Sequence, residues 1–182
     1  MTDLPYTHPV RAADLTGRRD RAFDLRPDAA ACAAIAATLG INAVADLAFA
    51  GHLRPAGRAD VMLEARLEAT VDQPCVVTLV PVRSRIDVPV ARRYVAGMAA
   101  PEGAEVEMPE DDTLEPLPEV IDLGAVMVEA LALALPDYPR APGAELGEAV
   151  FAAPGVAALR DADLRPFAAL ARLRPGGEGD KG

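Results

Sequence analysis

Nucleophilic catalysis needs a serine or cysteine beside a general base, and this chain offers few candidates for either role. Ser84 is the single serine, set between Arg83 and Arg85. The cysteines are Cys32 and Cys75, and the histidines are His8 and His52. Neither cysteine has a histidine close to it in sequence, so a thiolate–imidazole pair exists only if folding carries Cys75 to His52. A structural zinc site uses cysteine or histidine ligands paired a few residues apart, and that pairing is missing here. The glycines are scattered and none opens a helix after a strand in a phosphate-binding pattern. Carboxylates are plentiful, but eight of them fall between Ala99 and Glu119, a segment expected to be solvated rather than to build a catalytic pair. These residues leave one catalytic alternative, a small cytoplasmic hydrolase using Cys75 or a carboxylate of the central sheet. Cys32 lies among alanines and reads as a small buried filler.

Binding chemistry is better represented. Arg83, Arg85, Arg92 and Arg93 occur in one strand-like stretch and are the candidate RNA-binding residues. Arginines along one face of a strand make a strip for phosphates, which Arg58 and Arg66 extend onto a neighbouring strand. The competing reading pairs them across strands with Glu64, Glu68 and Asp72, or with the acidic segment. Tyr94 is the one aromatic nearby, too little for a base-stacking platform. Near the C-terminus Phe167, Leu170 and Leu173 fall close to one face of a short helix, Pro166 to Leu173. They are the candidate partner-docking residues, because so short a helix needs a surface to bind, another molecule's or the domain's own.

The elements that position these residues follow from periodicity. Pro27 and Asp28 start a helix that ends at Leu39, with Gly40 as its stop. Leu47, Phe49 and Leu53 mark a strand, and Pro55-Ala56-Gly57 a turn. From Val61 to Asp72, apolar odd positions alternate with Glu64, Arg66, Glu68 and other polar even ones, the pattern of a sheet with one wet face. Asp72-Gln73-Pro74 reads as a break. Beyond Pro81 the apolar parity shifts to Val82, Ile86, Val88 and Val90, which a bend or bulge near Pro81 explains. Ala99 to Glu119 carries four prolines and no basic residue, the composition of a solvated loop, with Val106 and Met108 as a candidate short edge strand. Asp122 caps a helix from Leu123 to Leu135 whose apolar stripe covers most of its circumference, and Pro136 ends it.

With 182 residues the chain is the size of one domain and a tail, long enough to bury a core without staples. Hydrophobic residues make up 51% and aromatic ones 4%, so alanine and aliphatic side chains must fill that core. A net charge of −10 opposes nucleic-acid binding through the overall field and suits a basic partner. The N-terminus lacks a basic region followed by an apolar one, and no apolar run reaches membrane-spanning length, so the cytoplasm is the expected compartment.

Four blocks of the sequence resemble a known family, that of the bacterial large ribosomal RNA subunit accumulation protein YceD. They are Cys75-Val76-Val77-Thr78-Leu79-Val80-Pro81-Val82, Ile121-Asp122-Leu123-Gly124, Glu129 through Pro136 with Tyr138-Pro139, and the closing Arg165-Pro166-Phe167-Ala168-Ala169-Leu170. The resemblance implies a non-enzymatic part in the accumulation or processing of large-subunit ribosomal RNA. Family members often carry Cys-x-x-Cys in the central strand; here Cys75 matches the first cysteine and Thr78 stands in place of the second. The resemblance supplies no catalytic residue.

The expected fold is α+β: a curved antiparallel sheet over about residues 41 to 96, or a partly closed barrel, with two packed helices and a peripheral C-terminal segment. Residues 1–158 form the domain, with the acidic loop at 99–119, and 159–182 the docking segment and flexible end. The expected function is an accessory factor that binds a ribosomal protein or pre-ribosomal RNA, without cofactor, metal, membrane or small-molecule substrate.

Overall fold

Alternating polarity, sustained over three long runs, dictates a large sheet. The computed structural model describes residues 4–15, 20–57, 59–98 and 113–145. In chain order its elements are β1 (Pro9–Arg11), a 3-10 turn (Ala12–Asp14), β2 (Arg21–Leu25), α1 (Ala29–Leu39), β3 (Ala43–Ala56), β4 (Asp60–Pro74), β5 (Pro81–Val95), β6 (Leu114–Pro116), β7 (Val120–Asp122) and α2 (Leu123–Ala134). The main sheet is open, in the order β2-β3-β4-β5-β6, and is antiparallel except where β6 joins β5 in parallel. The fold is therefore α+β, and the sheet does not close into a barrel. Residues 99–112, Arg58, Phe167, Leu170, Leu173 and the whole of 159–182 lie outside the described residues. The acidic segment is seen only from Thr113, where it supplies β6. Among the described residues no helix is long and apolar enough to cross a membrane.

The core lies on one face of this sheet. Val61, Leu63, Leu67, Ala69 and Val71 of β4 are buried, and their register partners on the same face include Ile86 and Tyr94 of β5. Phe49 and Leu53 of β3 extend the same layer, and Phe23 of β2 packs its ring 5.3 Å from that of Phe49. The helix α1 lays Cys32, Ile35 and Ala36 against β3. Its ends are those the sequence announces. The Asp28 carboxylate accepts from the Ala31 amide at 2.8 Å, and Gly40 takes the left-handed conformation at φ 66°.

Two local readings change. The chain does not break at Asp72–Pro74: β4 runs to Pro74, opposite Pro81 of β5, and Cys75–Val80 is the turn between them. The apolar parity shifts because the chain reverses, which sets odd positions of β4 opposite even positions of β5. The register irregularity lies elsewhere, in β3 between Ala45 and Ala48, with Asp46 at φ 50°.

The helix α2 covers β4 and β5. Leu123, Val126, Met127, Val128, Ala130 and Leu131 are buried along it. The sequence Ile121-Asp122-Leu123-Gly124 fixes where it starts. Asp122 Oδ1 accepts from the amides of Gly124 at 2.9 Å and Ala125 at 3.2 Å, and also from the His8 amide at 2.8 Å. The His8 carbonyl in turn accepts from the Leu123 amide at 3.0 Å, and β1 pairs with β7. Gly124 is required by this closeness, because a Cβ there would sit 2.7 Å from the Tyr6 carbonyl oxygen and 2.8 Å from the Thr7 Cα.

Candidate functional site

The arginines of β5 divide between the two faces of the sheet. Arg83, Arg85 and Arg93 are exposed at odd positions, on the open face, whereas Arg92 is turned to the α2 side. The four are thus not one strip. On the open face carboxylates meet most of the guanidinium groups. Arg83 makes two 2.8 Å hydrogen bonds to Asp72, directly across the ladder. Arg66 lies 2.6 Å from Asp87, and Arg93 is 3.1 Å from Asp60. Arg54 reaches both Asp20 at 3.0 Å and Glu64 at 2.6 Å. These pairs leave their mark on the acids. Asp72 is held below the ordinary carboxylate range by Arg83, Asp87 by Arg66, and Asp60 by the Ala96 amide and then Arg93. Among the described residues no carboxylate lies within ion-pair distance of Arg85, which borders a shallow depression shared with Asp46, Glu68 and Thr70.

On the α2 side the arrangement is inverted. Arg92, 15% exposed, sits between Glu115 of β6 and Glu129 of α2, the latter at 2.9 Å. One cation shared by two carboxylates leaves the cluster net negative. Burial opposes the charge on Arg92, but the hydrogen bond to Glu129 and the fields of both glutamates outweigh it. Beside it, burial and then the Glu115 charge push the Tyr94 hydroxyl up to about 12. The cluster closes one end of a groove of about 460 Å³ between α2 and β5, walled by Val88, Val90, Ala130, Leu133 and Ala134. Sequence reading missed Glu115 and Glu129. The signal was the parity of Arg92, which shares its strand face with Ile86, Val88 and Val90; a charge at such a position needs partners.

Cys75 lies at the far end of the sheet, in the β4–β5 turn. Its Sγ accepts from the amides of Val77 at 3.4 Å, Thr78 at 3.5 Å and Ala141 at 3.3 Å. Hydrogen bonds from the Thr78 side chain, then from the Ala141 and Thr78 amides, lower its thiol to about 6 against the opposing effect of burial. The sulfur is covered, but thinly: Val76, Leu79 and Val80 beside it are about half or more exposed. The same turn holds the chain that leaves α2. The Val76 amide donates to the Pro139 carbonyl at 2.9 Å, and Gln73 Nε2 donates to the Pro136 carbonyl at 3.2 Å. Folding does not bring His52 to Cys75. His52 pairs across the ladder with Glu64, eleven residues along β4 from Cys75 and so about 36 Å away at the rise of an extended strand. Among the described residues no three His, Cys, Asp or Glu side chains gather at metal-binding spacing.

The sequence model of the family described as "Large ribosomal RNA subunit accumulation protein YceD" matches residues 63–174, more than half of the chain. No curated protein and no solved structure matches it. The matched span starts within β4 and takes in the Cys75 turn, β5, the Arg92 cluster and α2; β1 to β3 and α1 precede it. The chain belongs to this family.

Proposed function

We propose that this chain, as a member of that family, serves the accumulation of large-subunit ribosomal RNA by binding a basic protein partner. The supporting observation is the neutralisation of four arginines of β4 and β5. Arg83, Arg66 and Arg93 each have a carboxylate at hydrogen-bond distance, and Arg92 is enclosed by two. A phosphate would have to displace those carboxylates, and it would approach a molecule of net charge −10. A lysine- or arginine-rich protein meets no such barrier, and the long-range field steers it inward.

Two measurements test this reading. Depleting the protein lowers mature large-subunit RNA relative to small-subunit RNA; an unchanged ratio sinks the role. Capture from growing cells, with and without nuclease, then separates the modes. A basic ribosomal protein retained after nuclease supports direct protein contact, and its loss together with the RNA refutes it. RNA binding through Arg83, Arg85, Arg92 and Arg93 is the second reading, favoured by Arg85, which has no carboxylate partner among the described residues. Changing all four to alanine abolishes RNA affinity if that reading holds.

A further inference from the structure

The edge of the main sheet beyond β5 is only partly used. Among the described residues, β6 covers β5 at Arg93, Tyr94 and Val95 alone. The hydrogen bonds there show which residues point outward: the Arg93 amide donates to the Thr113 carbonyl at 2.8 Å, and the Val95 carbonyl accepts from the Leu117 amide at 3.0 Å. The ladder between β4 and β5 keeps one register from Val61 to Pro74, so every odd residue of β5 has this orientation. The amides of Arg83, Arg85, Asp87 and Ala91 therefore point away from β4, and among the described residues no backbone acceptor meets them. Pro81 and Pro89 occupy the same parity, so neither lack of an N–H interrupts the ladder with β4.

The stretch of this edge from Val88 to Arg92 forms one wall of the 460 Å³ groove. Pro89 and Ala91 line it although their side chains lie on the opposite, exposed face, so it is their backbone that faces the groove. The other wall is α2, with Ala130, Ala134 and Leu133, the last 79% exposed. The end next to β6 holds Glu115 and Glu129 around the single Arg92. A row of unpaired backbone groups, an apolar wall and an excess negative charge select one kind of occupant. We infer that the free edge of β5 between Pro81 and Arg92 receives an extended, basic segment of a partner protein as an added strand collinear with β6. Main-chain hydrogen bonds to the odd residues hold it. Its inward side chains alternate between aliphatic groups against Val88, Val90 and Leu133 and a lysine or arginine at Glu115 and Glu129. This rests on the protein-binding reading above and gives that partner a conformation and a place.

The probe is a capped peptide of two Lys-Thr-Val-Thr repeats, offered to the full chain and followed by fluorescence anisotropy. Ala91→Pro removes an outward N–H without changing charge or touching the β4 ladder, as Pro89 already does at the neighbouring outward position. It should weaken the peptide about tenfold while leaving Tm nearly unchanged. Methylating alternate peptide nitrogens should weaken binding to the unaltered protein by a similar factor. Glu129→Lys should weaken the Lys-containing peptide and spare a version with Thr at each Lys. Equal affinity for the protein and Ala91→Pro, or no binding by either, overturns the inference. So does slow amide exchange at Arg83, Arg85 and Asp87 in the dilute free protein, because it means the edge is already covered by this chain or a second copy. An RNA oligonucleotide that competes with the peptide and is equally weakened by Ala91→Pro overturns the partner class. If Ala91→Pro still captures a basic protein in cells, the added strand falls and the protein-binding reading stands. If the unaltered chain captures none, the reading itself falls.

Discussion

The two ends of α2 are held in opposite ways. At its start, one carboxylate oxygen of Asp122 accepts from three amides, β1 pairs with β7, and the Gly124 backbone meets that of Tyr6 to His8 with no room for a side chain. At its far end, the chain leaving the helix is held by one hydrogen bond from the Ala141 amide to the Cys75 sulfur, by Gln73 and by the Val76 amide. Gln73 Oε1 is buried there without a partner among the described residues. Tyr138, Leu79 and Leu133, each at least 75% exposed, mark the same end. The difference separates an anchor of short backbone contacts around one carboxylate oxygen from a junction whose sulfur acceptor ionises near neutral pH and whose apolar surface is uncovered. The groove opens alongside Leu133 and Ala134, in the last turn of α2 towards the softer end.

The largest effects should come from the anchor. Gly124→Ala places a methyl group within 3.0 Å of three backbone atoms of another segment, none of which is a flexible side-chain end. Overpacking of this kind costs about 2–3 kcal/mol, more than the ~1 kcal/mol that alanine gains in a helix. Chemical denaturation reads it as a lower midpoint with unchanged slope; a midpoint equal to that of the unaltered protein would mean that β1 is not held there. Asp122→Ala follows, at about 2 kcal/mol, because three amides lose their acceptor. Asp122→Asn should recover most of it, since the contact uses one oxygen. An equal loss in both variants would assign the effect to charge at the helix start rather than to the hydrogen bonds.

The far end should respond to pH through Cys75. The Cys75 thiol falls from its ordinary value of 9.0 to about 6 on folding. A group whose value is depressed in the folded state adds stability above its unfolded value and loses it as pH falls through the folded one. The Cys75 contribution is therefore complete above pH 9, declines between pH 9 and pH 6, and is absent below. Stability curves of the protein and of Cys75→Ala should diverge as pH rises through that window and run parallel below it. Parallel curves throughout would show that the three amides do not favour the thiolate. The effect should be smaller than at the anchor, since the thin cover lets solvent screen the charge.

These contrasts mark where sequence was informative. Strict alternation over Val61 to Asp72 sufficed for β4 because one face is wet, and Asp28, Gly40 and Asp122 announced their helix ends because caps are local. The turn at Cys75–Val80 was not legible. An apolar run without glycine resembles a strand, and only the pairing of Pro74 with Pro81 shows that the chain reverses. The arginines were identified by type but assigned to one surface, although period two places Arg92 and Arg93 on opposite faces. Glu115 and Glu129 were hidden because their proximity to Arg92 depends on β6 and α2 arriving from distant parts of the chain. The edge of β5 left open among the described residues was equally invisible, since sheet order is a property of topology and not of local pattern.

The smallest effect lies within the illegible turn and has the opposite sign. Leu79 adopts φ 61° and is 75% exposed, so it carries backbone strain without the burial that could offset it. Left-handed backbone costs a branched residue about 1 kcal/mol relative to asparagine, which tolerates that conformation. Asparagine also avoids the extra unfolded-state entropy that glycine would bring. Leu79→Asn should therefore stabilise the protein by about 0.5–1 kcal/mol, a rise of a few degrees in Tm. If it destabilises instead, Leu79 is packing against a neighbour, and the far end of α2 is less open than its exposed side chains indicate. A gain in stability accompanied by weaker capture of the partner would extend the docking surface from the groove to this turn.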